Sequence, residues 1–153
     1  MDLDIRRHRG DIPYSLLLLA DETVEAIDKY IFKCQIFLAF DHDQPVGVFA
    51  VEGIDGQEEL ELKNIAVDER YRNQGVGKHM MQFVKQLGIE GGYKRLTVGT
   101  SDTGYDQLRF YENNGFKRTG VRANFFLDNY PEPIFENGEQ MRDMIMLSYS
   151  LHQ

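Results

Sequence analysis

Arg72-Asn73-Gln74-Gly75-Val76-Gly77 lies between a strand-like run, Leu60-Glu61-Leu62-Lys63-Asn64-Ile65-Ala66-Val67, and an amphipathic helical pattern. Two glycines at a strand-to-helix corner let several backbone N–H groups point into one small space. The free amides and positive dipole end of the following helix add to them. Such a corner can hold a pyrophosphate. Mid-chain, with no nucleotide-hydrolysis machinery around it, it points to a pyrophosphate-bearing carrier such as coenzyme A. Lys78 after Gly77 invites a P-loop reading, but that pattern needs glycine where Arg72 stands and Ser or Thr where His79 stands. A dinucleotide fingerprint fails as well, because its third glycine falls on Met80 and three antiparallel-type strands precede the corner. Arg70, Arg72 and Lys78 place positive charge beside the corner, with solvated surface charge as the competing reading for each.

The chain has 153 residues, 42% of them apolar, enough for one well-buried core and short for two; residues 1–153 are expected to form one domain. A formal net charge of −8 argues against nucleic acid or an anionic membrane as partner and favours a cationic amine. Cys34 is the single cysteine, so no internal disulfide can form. It reads as a buried hydrophobe in a reducing compartment, and neither it nor the four scattered histidines, among them His152, suggests a metal site. No segment reads as a signal peptide or membrane span, which predicts a soluble, cytoplasmic protein.

Leu3 to Arg6 reads as a first strand, Pro13 opens a short helix, and Asp21 is placed as N-cap of a second helix reaching Tyr30. Strands follow at Cys34 to Phe40 and Val46 to Val51, then a turn marked by Gly53 and Gly56, then the acidic strand Glu58 to Val67. The central helix is expected to begin near Gln74 or Gly75 and to stop at Gly88 or at Gly91-Gly92. Arg95 to Gly99 is the next strand, Tyr105 to Asn114 the next helix, Phe116 through Phe126 an uneven strand, and Met144 to Tyr149 the closing one. This order implies an α/β fold with a mixed sheet and helices on both sides.

Glu61 to Val67 followed by Arg72-x-x-Gly75-x-Gly77 resembles the acetyl-CoA-binding core of the GNAT superfamily of N-acetyltransferases, whose pattern is Arg/Gln-x-x-Gly-x-Gly/Ala. Leu108-Arg109-Phe110-Tyr111-Glu112-Asn113-Asn114-Gly115-Phe116 resembles its second shared element, a helix ending in Tyr-x-x-x-Gly-Phe. The tail from Phe125 to Met144 is similar to that of a bacterial subgroup of small acetyltransferases. The resemblance covers essentially the whole chain. It implies a central mixed, mostly antiparallel sheet of about six to seven strands, and transfer of the acetyl group of acetyl-CoA to a primary amine by direct attack, without a metal. A coenzyme A-binding sensor domain without turnover is the alternative.

By position, the resemblance implies that the backbone of Ile65, Ala66 and Val67 pairs with the pantetheine arm. A main-chain N–H, placed at Val67, faces the thioester carbonyl. The amides of Arg72, Asn73, Gln74, Gly75, Val76, Gly77 and Lys78 would take the pyrophosphate. Glu61 stands where relatives carry a glutamate base, needed because an alkylamine with a pKa of about 10.4 is protonated at neutral pH. Strand alternation puts Glu59, Glu61, Lys63, Ile65 and Val67 on one face; a solvated acidic face paired with Lys63 is the other reading. Tyr111 matches the acid that protonates the departing thiolate, or is a core tyrosine packed beside Phe110 and Phe116. Many relatives place an asparagine on the pantetheine where this chain has Asp102, which cannot donate when ionised and can instead cap the helix at Tyr105. Phe125, Phe126, Asp128, Tyr130, Glu132 and Glu136 border the acceptor cleft in relatives, or form a solvated acidic loop over a core diphenylalanine. A homodimer through the late strands is common among relatives.

Overall fold

A computed structural model describes residues 1–54 and 58–151; the expected turn residue Gly56 and His152 lie outside them. The elements run β1 (Leu3–His8), α1 (Tyr14–Leu17), α2 (Val24–Asp28), β2 (Gln35–Asp41), β3 (Gln44–Ile54), β4 (Glu59–Val67) and α3 (Val76–Glu90). There follow β5 (Arg95–Ser101), α4 (Tyr105–Asn113), β6 (Lys117–Arg122), α5 (Phe125–Asn129), β7 (Phe135–Glu136), β8 (Glu139–Gln140) and β9 (Met144–Ser150). Seven strands form one sheet in the order β1-β2-β3-β4-β5-β9-β6. Every neighbouring pair is antiparallel except β4 and β5, which run parallel. The mixed, mostly antiparallel α/β sheet expected from the sequence is the one observed.

Strand alternation divides the apolar residues between two cores. Phe37, Phe49, Leu60, Leu62, Leu96, Val98 and Leu147 meet Met80 and Val84 of α3 and Leu108 and Tyr111 of α4. On the opposite face Ile36, Leu38, Val48, Ala50 and Ala66 meet Leu17 of α1 and Ile27 of α2. That second core ends at β4, so α1 and α2 leave the β5-β9-β6 side of their face uncovered.

Several local expectations are corrected. Thr23, not Asp21, caps α2: its hydroxyl accepts from the Ala26 amide at 3.0 Å, and the helix ends at Asp28. Of the two stops expected for the central helix, the Gly91-Gly92 pair is the one observed: the helix runs through the buried Gly88 to Glu90. The strand expected as far as Phe126 stops at Arg122, because Asn124 turns left-handed (φ 59°) and Phe125 and Phe126 enter a short helix. The hairpin β7-β8 was not foreseen, although Asn137-Gly138 (φ 55° and 78°) carries the turn chemistry that closes such a ribbon. Cys34 is half-buried rather than buried; its thiol donates to the Tyr30 carbonyl at 3.3 Å, and burial pushes its pKa up to about 12.

Candidate functional site

The parallel pair does not stay together. β4 and β5 are partnered from Glu59–Arg95 to Leu62–Val98, after which β4 continues with β3 and β5 with β9. The sheet is therefore split along residues 63–67. Asp68 donates its amide to Val46 of β3 at 2.8 Å, which fixes the phase of the backbone. Two-residue alternation turns the Asn64 and Ala66 amides the same way and those of Ile65 and Val67 into the split. Of the three residues expected against the carrier's arm, Ile65 and Val67 present main chain to the split, while Ala66 sits in the α1/α2 core.

The wide end of the split leads to the glycine corner. Gly75 is the N-cap of α3 with φ 84°, a left-handed conformation that a side chain strains. Gly77 is small for another reason: a Cβ there would lie 3.2 Å from the Phe110 ring of α4. Inside α3 the first bond of this turn runs from the His79 amide to the Gly75 carbonyl at 3.0 Å. The Val76, Gly77 and Lys78 amides are thus the free donors of the helix start. Charge is arranged less simply than expected. Arg70 is turned back onto Asp68, with Nη2 to Oδ2 at 3.0 Å, and this pairing holds the Asp68 carboxyl below its ordinary range. Arg72 and Lys78 enter no ion pair among the described residues, so they, not Arg70, supply the corner's uncompensated charge.

At the closed end a β-bulge changes the picture drawn from alternation. Ala50 faces Asn64 while Val51 faces Leu62, so Lys63 is an extra residue in β4. The parity of the strand switches there. Leu60 and Leu62 before the bulge, and Ile65 and Val67 after it, share the α3/α4 side. Glu59 and Glu61 therefore project from the other face, not from the face of Ile65 and Val67. Glu61 is 9% exposed, with Oε2 3.0 Å from Lys63 Nζ. It lines a cavity of about 320 Å3 with Ile54, Glu59, Thr97, Thr119, Arg122, Met146 and Leu147, on the sheet area that α1 and α2 leave open. Thus a buried carboxylate sits one residue before the last β4–β5 rung.

Tyr111 is 6% exposed, its ring 5.4 Å from that of Phe110 and 5.7 Å from that of Phe116. Burial alone pushes its hydroxyl pKa well above the ordinary value, and the hydroxyl has no hydrogen-bond partner among the described residues. Asp102 does not cap α4, whose N-cap is Gly104; its carboxylate accepts from the Arg142 amide at 3.2 Å. The neighbouring Thr103 hydroxyl donates to Glu136 at 3.0 Å, and Asn137 donates to the Thr103 carbonyl at 2.9 Å. Tyr105 donates to Glu139 as well, so the unforeseen hairpin is strapped to the β5–α4 loop.

Of the late-chain residues, Phe126 is buried and stacked on Tyr130 at 5.7 Å and Phe125 is half-buried against it, whereas Asp128 and Glu132 stay exposed. Tyr130 donates to Asp21 Oδ1 at 2.7 Å and Tyr30 donates to Asp21 Oδ2 at 3.0 Å. Asn64 gives its amide hydrogens to the Tyr30 hydroxyl and the Leu17 carbonyl, each at 3.1 Å, leaving Oδ1 buried with no hydrogen-bond partner among the described residues. Burial first, and Asp21 after it, raises the Tyr130 pKa; burial also raises that of Tyr30. Sequence reasoning missed this network and the cavity cation Arg122, since no local spacing joins positions 21, 30, 64 and 130. Among the described residues no three His, Cys, Asp or Glu side chains gather so as to hold a metal, and no helix is long and apolar enough to cross a membrane.

Comparisons with known proteins agree with this layout. Residues 33–118 match the acetyltransferase (GNAT) domain family. The chain is 32% identical over 149 residues to the N-acetyltransferase YvbK of Bacillus subtilis (strain 168), covering 97% of this chain and 96% of that protein. Among solved structures, a GNAT family acetyltransferase from Elizabethkingia anophelis with acetyl-CoA bound is 41% identical, with a TM-score of 0.92 and 97% of each chain covered. A Bacillus subtilis acetyltransferase in complex with CoA is 31% identical, with a TM-score of 0.90 and 97% and 99% covered.

Proposed function

Because the chain belongs to the GNAT family of acetyltransferases, an acetyl-CoA-dependent N-acetyltransferase lineage, we propose that residues 1–153 act as one domain that acetylates a primary amine by direct attack. The observation that carries this reading is the split between β4 and β5 with the glycine corner at its wide end. It offers unpaired strand amides to an extended arm and free helix amides, with Arg72 and Lys78, to a diphosphate.

Acetyl-CoA supplies the acetyl group as an activated thioester. In this reading the amides from Arg72 to Lys78 hold its diphosphate, and Ile65 and Val67, with Ala66 between them, grip the arm. Val67 or Ile65 directs an N–H at the carbonyl oxygen as negative charge develops there. Glu61 takes a proton from the acceptor's ammonium group, directly or through a water, and the neutral amine so formed attacks the thioester carbonyl. Tyr111 gives its proton to the sulfur as the C–S bond breaks. A phenol is protonated at neutral pH, as a proton donor must be; burial, by raising its pKa, makes it the weaker acid. Asp102, engaged with the Arg142 amide, positions the β5–α4 loop rather than donating to the arm. A single cysteine and the bacterial origin of the relatives above support work in a reducing bacterial cytoplasm.

Two measurements test the proposal together: calorimetry of acetyl-CoA binding, and thiol release with a panel of primary amines. Binding and amine-dependent release are expected. Binding with no release on any amine would leave a coenzyme-binding module, and no binding would remove acyl transfer altogether.

A further inference from the structure

The cavity beside Glu61 has an asymmetric charge pattern. Both of its carboxylates are already matched, Glu61 by Lys63 at 3.0 Å and Glu59 by Arg95 at 3.7 Å. Arg122, on the far wall in the exposed edge strand β6, enters no ion pair and no side-chain hydrogen bond among the described residues. The uncompensated charge of the cavity is therefore positive, in a chain whose net charge is −8. β4 and β6 are separated by β5 and β9, three strand steps or about 14 Å between backbones, from which the two side chains take several ångström. The hydroxyl-bearing Thr97 and Thr119 line the space between.

We propose that the acceptor is an amino carboxylate, its amine set at Glu61 and its carboxylate on the Arg122 guanidinium, whose planar fork of donors matches a carboxylate's two oxygens. The inference rests on the acyl-transfer reading and adds the acceptor's second group. In the reaction the amine nitrogen forms the new N–C bond, the C–S bond of the thioester breaks, and the carboxylate is unchanged. Such an acceptor carries no net charge, so the acidic surface does not select against it.

The test pairs amino alkanoates of graded length with alkylamines of the same length, in thiol-release assays on the wild-type chain, Arg122→Ala and Arg122→Lys. In the wild type kcat/KM should favour the amino carboxylate by on the order of tenfold to a hundredfold, chiefly through KM, with an optimum length. Arg122→Ala should bring that ratio to about one, and Arg122→Lys should keep part of it. Equal coenzyme affinity in all three proteins reports intact folding. A second readout does not need turnover: the Arg122 Nε–H resonance of isotope-labelled protein, assigned by its loss in Arg122→Ala, should move on adding the amino carboxylate. Movement without turnover of any amine would keep the anion subsite and sink acyl transfer. Turnover with a wild-type ratio near one and a static resonance would overturn the subsite and leave acyl transfer standing.

Discussion

Replacing Tyr111 by Phe separates a catalytic hydroxyl from a core ring. The ring is 6% exposed among Phe110 and Phe116, and phenylalanine keeps all of that packing. The hydroxyl has no hydrogen-bond partner among the described residues, so its removal forfeits no hydrogen bond with them and relieves part of the desolvation of a polar group. Thermodynamic stability should stay level or rise by about 1 kcal/mol. If the hydroxyl protonates the leaving sulfur, kcat should fall on the order of a hundredfold to ten-thousandfold, while the affinity for acetyl-CoA changes by less than about threefold. The assays are urea denaturation, calorimetry of coenzyme binding and steady-state thiol release, run on the same preparations. Unchanged turnover would refute the acid role. A stability loss above about 1 kcal/mol would refute the description of the hydroxyl as unpartnered.

Gly75→Ala should cost about 1–2 kcal/mol in urea denaturation, because φ is 84° while the added Cβ meets nothing within 4 Å; Gly75→Asn should cost less, and equal costs would show that conformation is not the reason. Asp21→Ala strips two tyrosine hydroxyls of a charged acceptor at a half-exposed site and should cost about 2 kcal/mol, lowering Tm by roughly 4–8 °C. A double-mutant cycle with Tyr130→Phe should return a coupling of about 1 kcal/mol, and strict additivity would mean that the bond holds nothing. Tyr30, Tyr111 and Tyr130 all have folded-state pKa values raised above the ordinary tyrosine value of about 10. The unfolded chain then loses these protons first, so stability should be level with respect to these groups below about pH 9. It should fall as pH climbs past about 10, by up to about 4 kcal/mol per pH unit if all three contribute; denaturant curves that stay flat through that range would contradict it.

The elements that rest on periodicity and on glycine were legible in the sequence: the apolar stripe of Val76, Met80 and Val84, the glycine corner at the start of α3, the turn after Asn114. What alternation could not reveal was Lys63. A bulge is set by the register of two strands against each other, and nothing within Glu59 to Val67 announces it. The parity of Glu61 relative to Ile65 was misread for that reason. Asp21 was misplaced because Asp21 and Thr23 both have capping chemistry and local sequence does not rank them. Its tyrosine partners lie 9 and 109 residues away. Asn137-Gly138 was a signal present and passed over, since the flanking residues are too polar and too few to look like strands.

One supernumerary lysine in the middle of a strand has a topological effect out of proportion to its size. It sends residues on its two sides to opposite surfaces, and in the proposed mechanism this gives donor and acceptor separate doorways that meet at a single seam. Two reactants can then occupy the protein together without either blocking the other's exit. That is the arrangement a one-step handover requires, and it makes parking the cargo on the enzyme itself unnecessary.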